Sequence, residues 1–292
     1  MTSLNRSVKV FIVASLLSLI VYDAYILRGS FAILFGYFAQ VPQDVSYVRM
    51  TGFVYWLGLA GLIGRFIEVI LGFAALYLLW IKAKPFLRIK HFVSLALFLE
   101  GAYYFSFVPS IWFLLRPGFA YSLSLGVGYI LQILFTVPFL WVLAFKVETY
   151  RESSQRHNLL KYGSVTFVGY AAALAVNEVS RWTSMISADT LRFLLQGIRI
   201  VGFLNAVVLM PFAVVLAIVG AFRLFQLKER SAMGWLGASL AVVGLNYLIY
   251  VIYSFFANSL NSLPLVDVWT VPLLGLGVAL IINSRKANDA NS

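Results

Sequence analysis

Cysteine is absent from all 292 residues, which excludes a disulfide framework, thiolate metal sites and a cysteine nucleophile. Histidine is scarce. His91 and His157 are the two present, both in or beside basic connecting stretches, so no apolar segment offers an imidazole to a haem or a metal ion. Every lysine sits at a terminus or between apolar runs, which removes a retinal-type Schiff base from consideration. No H-E-x-x-H, G-x-S-x-G, phosphate-binding glycine loop or aspartate-rich prenyl-phosphate motif occurs. Neither a cofactor nor a metal site is expected, and enzymatic activity is disfavoured without being excluded.

Charge is also sparse. Charged residues make up 11% and apolar residues 62% of the chain, where soluble domains average about 25% and about 45–50%. The net charge of +11 would suggest nucleic acid in a soluble protein. Here the basic residues lie in short gaps between apolar runs, so membrane topology is the simpler cause and no nucleic-acid partner is expected.

Eight apolar segments can be drawn, at about 8–27, 53–81, 92–115, 121–145, 160–181, 198–225, 232–257 and 266–283. Each approaches or exceeds the ~20 residues a helix needs to span a bilayer. In hydrocarbon every backbone polar group needs an internal partner, so the predicted fold is an all-α bundle of about eight transmembrane helices. The first segment lacks a small-x-small cleavage site, with Asp23 and Tyr25 where one would fall, and reads as a retained span. Residues 30–39 and 189–200 are too apolar for plain loops and read as amphipathic helices on the outer surface, with substrate gating as the second reading.

Positive charge sets the orientation. Arg6, Lys9, Lys82, Lys84, Arg88, Lys90, Lys146, Arg151, Arg156, Lys161, Arg223, Lys228, Arg230, Arg285 and Lys286 fall on one side, against Arg28, Arg49, Arg116, Arg181, Arg192 and Arg199 on the other. The richer side is expected in the cytoplasm of a cell-membrane protein, with both termini. Basic gaps recur about 140 residues apart, and Thr136–Leu140 (TVPFL) is echoed by Thr270–Leu274 (TVPLL). This predicts a tandem parallel duplication of four-helix repeats, residues 1–148 and 149–292, forming one membrane domain. Prolines 109, 138, 211 and 272 are expected to kink spans.

The polar exceptions carry the functional reading. Gly58, Gly61, Arg65, Glu68 and Gly72 recur at steps of three and four, which places them on one helix face. A charge at bilayer depth costs roughly 2.5–3.5 kcal/mol on insertion scales, so this face must point into the bundle, and its glycines let a neighbour come close. Glu100 on the next span lies at a matching depth, since about 13 residues separate Glu68 from the connecting loop and about ten separate the loop from Glu100. One arginine against two carboxylates leaves one carboxylate without a cation, which a proton would neutralise. Tyr104, one turn beyond Glu100, is placed to donate to a carboxylate.

In the second half the corresponding positions are uncharged, at Asn205, Asn246 and Tyr247. Asp23, Asn177, Glu178 and Arg181 form a separate expected cluster at the outer boundary, where water is within reach. Three readings follow. One is a small transporter or permease that binds an ion or small molecule at Arg65, Glu68, Glu100 and Tyr104. The alternative is a non-catalytic membrane subunit, assembly factor or scaffold that docks on protein partners within the bilayer. A lipid-processing enzyme using Asp23, Glu178 and Asp267 ranks third, because nothing positions a nucleophile or metal beside them.

Overall fold

The computed structural model describes residues 45–82, 84–106, 108, 120–151, 155–188, 197–257 and 270–289. Seven helices and no strand occur among them: α1 (Val45–Leu76), α2 (Phe86–Ser106), α3 (Ala120–Glu148), α4 (Arg156–Ala188), α5 (Gly197–Phe225), α6 (Glu229–Ala257) and α7 (Thr270–Asp289). The stretches Trp56–Leu79, Arg156–Ser180, Phe203–Phe225 and Glu229–Ile249 are long and apolar enough to cross a membrane. Along them Phe66, Ile70, Phe212 and Phe222 are more than half exposed. Such an exterior suits hydrocarbon and not water.

The helices overrun the apolar segments at several ends. α1 begins at 45 rather than 53, α2 at 86 rather than 92, and α4 extends from 156 to 188. Charge marks where a segment leaves hydrocarbon; it does not stop a helix, because arginine and lysine are good helix formers. α1 ends in a widened π turn, Tyr77–Ile81, in which Lys82 N donates to Tyr77 O at 3.1 Å, just before Pro85. Pro138 and Pro211 lie inside α3 and α5 as expected. Pro272 instead occupies the first turn of α7, where its missing N–H has no intrahelical partner to lose. Pro109, the first apolar segment and residues 30–39 lie outside the described residues, as does most of 189–200, whose last four residues begin α5.

Each helix packs on the next in chain order, from α1 on α2 through to α6 on α7. Contacts between the connections show that alternate ends meet. Lys90 at the start of α2 reaches the end of α3, and His157 at the start of α4 faces Glu229 at the start of α6. The three basic connections therefore gather at one end of the bundle.

Small residues and hydroxyls set the spacing. A Cβ on Gly237 of α6 would lie 2.7 Å from the carbonyl oxygen of Gly277 on α7, closer than a real Cβ comes, so these two backbones touch directly. Ser94 Oγ donates to Ala144 O at 2.9 Å between α2 and α3, and Ser239 Oγ to Ala213 O at 2.7 Å between α6 and α5. A hydroxyl buried in a bundle without such an acceptor would cost stability. Ala175, Met210, Ala213, Val243, Tyr247 and Leu273 join α4, α5, α6 and α7 in one apolar core.

Candidate functional site

α1 turns its glycine face toward α2. A Cβ on Gly61 would collide with the Ser106 hydroxyl, and one on Gly64 would lie 3.6 Å from Leu99. That close approach brings Arg65, one turn beyond Gly61, to Glu100. Arg65 forms an ion pair with Glu100 across the helix interface and faces Glu68 on its own helix at 3.5 Å. The Tyr103 ring lies beneath the guanidinium, 5.0 Å from its centroid. A cation over an aromatic face gains attraction without being neutralised.

Glu100 is engaged from a third helix. Tyr170 of α4 donates its hydroxyl to Glu100 Oε1, while the other carboxylate oxygen meets Arg65. The Tyr104 hydroxyl lies 3.5 Å from that of Tyr170, and the two rings meet edge to face at 6.2 Å. Tyr104 is thus joined to the carboxylate through Tyr170. Glu100 is the most enclosed of the three charged side chains, at 9% exposure, and Glu68 the most open, at 20%.

Among the described residues the arrangement holds one guanidinium, two carboxylates and two phenolic hydroxyls, which carry a net charge of −1 when both acids are ionised. One proton or one monovalent cation brings this set of groups to neutrality. In a low-dielectric interior that difference is large, because coulombic energies scale inversely with the dielectric constant. Among the described residues no three His, Asp or Glu side chains gather as a metal ion requires.

The second expected cluster is placed differently. Glu178 on α4 is buried, at 8% exposure, and accepts a hydrogen bond of 3.1 Å from Tyr247 of α6. The sequence puts Glu178 near a hydropathy boundary where water is expected; in the structure it is buried, with the Tyr247 hydroxyl against it. Asn177 beside it is half-buried. The Arg181 side chain and all of Asp23 and Asp267 lie outside the described residues. In the second half Asn246 and Tyr247 are buried, and the amide nitrogen of Asn205 is enclosed.

The sequence does not single out Tyr170. Aromatics make up 16% of the chain, so a tyrosine 70 residues from its carboxylate carries no local signal. One regularity stands out only with the contacts known. Glu100 and Tyr170 are 70 residues apart, Glu178 and Tyr247 are 69 apart, and both pairs join helices two steps apart in the chain. Compared with protein-family models, with curated proteins and with solved structures, the chain matches none.

Proposed function

We propose that the protein is a small membrane transporter or permease in which Arg65, Glu68 and Glu100 bind a proton or a cationic substrate. The observation that carries this reading is an ionisable cluster at the apolar length of α1: Arg65 meets both Glu68 and Glu100 there. Ionisable groups at bilayer depth are functional candidates by default, because they are costly to retain. In this mechanism Glu68, the more open carboxylate, receives the incoming charge. Arg65 then shifts toward Glu100, which Tyr170 holds in place by its hydroxyl. Loss of the bound charge returns Arg65 to both acids. The Tyr103 face supports the guanidinium in either position.

The frame we propose for this site is eight spans in two parallel four-helix halves, residues 1–148 and 149–292. Both termini and the basic connections face the cytoplasm of a cell membrane, as the lysine and arginine asymmetry favours. The charged side chains belong to the first half; the second half supplies Tyr170 to the site and otherwise serves as scaffold.

One observation favours a second reading, a non-catalytic membrane subunit or scaffold. Arg65 and Tyr170 already engage Glu100, so the network ties α1, α2 and α4 together without any ligand. Proton flux into proteoliposomes, driven by a potassium diffusion potential and followed with an enclosed pH dye, separates the two. The transporter reading expects protein-dependent flux, in the absence or presence of a panel of organic cations, that falls at least about tenfold in Glu68→Gln and Glu100→Gln, equivalent to about 1.4 kcal/mol in barrier. Flux identical in wild type and both variants would refute it.

A further inference from the structure

The basic end of the bundle does not use its cations evenly. Lys90 Nζ donates to the carbonyl oxygens of Glu148 and Tyr150, at 2.6 and 3.0 Å, and so closes the C-terminus of α3. His91 faces Glu148, and both Arg156 and His157 face Glu229. Lys146 and Lys161 differ: neither meets a carboxylate among the described residues. Each lies over an aromatic ring instead, Lys146 over Tyr162 at 4.9 Å and Lys161 over Phe225 at 5.3 Å. These contacts fix the two ammonium groups in place and leave their positive charge uncompensated.

Both lysines wall the same cleft, about 570 Å³ in volume, where the end of α3, the start of α4 and the end of α5 meet. That size falls within the ~300–1,000 Å³ typical of small-ligand sites. Its lining changes character along the helix axes. Thr149, Gln155 and Asn158 stand at the outer rim, and the two lysines come next. Val142 and Phe139 follow one and two turns deeper on α3, with Val165 one turn deeper on α4. Val142 and Phe225 are about half exposed, so the cleft opens sideways toward hydrocarbon as well as toward the basic end.

A polar rim, two cations and then an apolar wall is the order in which an anionic amphiphile standing in a leaflet presents its parts. A free inorganic anion would have no use for the deep apolar wall, and a neutral lipid none for the lysines. We propose that this cleft binds one anionic membrane phospholipid, with its phosphate held between Lys146 and Lys161 and an acyl chain along Val142, Phe139 and Val165. Anionic lipids are enriched in the leaflet that the basic connections are expected to face, where each lysine contributes to their capture. The site is separate from Arg65, Glu68 and Glu100, and the inference does not depend on transport.

Native mass spectrometry of the delipidated full-length protein, titrated with dioctanoyl phosphatidylglycerol, dioctanoyl phosphatidylcholine or inorganic phosphate, tests it. The expected result is saturable retention of one phosphatidylglycerol, with phosphatidylcholine and phosphate much weaker. Lys146→Gln with Lys161→Gln should weaken that binding about thirty-fold, at about 1 kcal/mol per lysine. Lys82→Gln with Lys84→Gln, outside the cleft, should leave it unchanged. If the first double variant does not fold, Val142→Trp, which fills the cleft from an exposed position and keeps both lysines, should abolish the saturable component. Equal retention of phosphatidylcholine, competition by phosphate alone, or wild-type binding in Lys146→Gln/Lys161→Gln or in Val142→Trp would each overturn the proposal.

Discussion

Arg65 on α1 and Glu100 on α2 form an ion pair that joins two antiparallel helices inside the apolar length of α1. Glu68 shares the same guanidinium from one turn away. The sharing makes the two ends of the pair unequal. Replacing Glu100 leaves Arg65 with Glu68, whereas replacing Arg65 takes from both carboxylates the guanidinium they share.

Stability should report that inequality. Breaking a buried pair from one side typically costs about 3–5 kcal/mol. Arg65→Gln is expected to reach that range and Glu100→Gln to fall clearly below it, measured by unfolding in mixed micelles. The Arg65→Gln/Glu100→Gln double variant should lose less than the two singles together. Equal losses in the singles, or an additive double, would contradict the shared-cation geometry.

The two carboxylate–tyrosine bonds offer a control on each other. Removing a hydroxyl from a buried hydrogen bond to a charged acceptor costs about 1–3 kcal/mol. Tyr170→Phe and Tyr247→Phe are both expected to lower the unfolding midpoint, since Tyr170 serves Glu100 and Tyr247 serves Glu178. Flux should separate them. Tyr170→Phe should alter transport and Tyr247→Phe should leave it close to wild type. The same flux change in both variants would remove the distinction between the site and the scaffold.

How much of this was legible in the sequence depends on the range of the contact. The stripe Gly61, Arg65 and Glu68 follows from helical periodicity, and it faces α2 as the cost of lipid-facing charge requires. Glu100 follows from counting residues back from a short loop. Tyr170 does not follow, because a contact between helices two apart depends on the width of the helix between them. That width is set where Gly169 of α4 packs so closely on α3 that a Cβ would meet the Phe135 carbonyl oxygen. Glu178 illustrates the other limit. Hydropathy places a residue along the membrane normal and says nothing of a neighbour such as Tyr247 that covers it sideways.

Two glycines should respond oppositely to alanine. At Gly101 a new Cβ would collide with the indole of Trp141, which stacks on Phe98 at 5.7 Å and donates to its carbonyl oxygen at 3.2 Å. Gly101→Ala is expected to cost about 1–3 kcal/mol, the usual range for overpacking. At Gly163 a Cβ would meet nothing within 4 Å. Gly163→Ala removes helix-interior flexibility and should stabilise by roughly 0.5–1 kcal/mol. Thermal midpoints in detergent decide both signs.

The tight turn between α5 and α6 holds Leu227 at φ 62°, a left-handed conformation, with Lys228 N bonded to Arg223 O at 2.9 Å. An L-residue other than glycine loses about 1–2 kcal/mol there, and the Leu227 side chain is 71% exposed, so little packing is forfeited by removing it. Leu227→Gly is therefore expected to raise the unfolding midpoint by an amount equivalent to about 1 kcal/mol. An unchanged or lower midpoint would show that the side chain contributes more than its exposure suggests.

The absence of native cysteine gives the most direct test of whether the Arg65–Glu68–Glu100 site is a binding site or a closed clamp. Glu68→Cys, Glu100→Cys and Tyr104→Cys, the last keeping all three charged groups, each place one thiol in or beside it. Ser239→Cys, at a fully buried position on α6, serves as the silent control. A small membrane-impermeant thiol reagent is applied to either face of sealed vesicles. The transport account predicts labelling of the folded variants at the site, reached from each face under opposing conditions, with no labelling at 239. Labelling at the site only after denaturation would contradict it and leave a dry cluster whose work is to hold α1, α2 and α4 together.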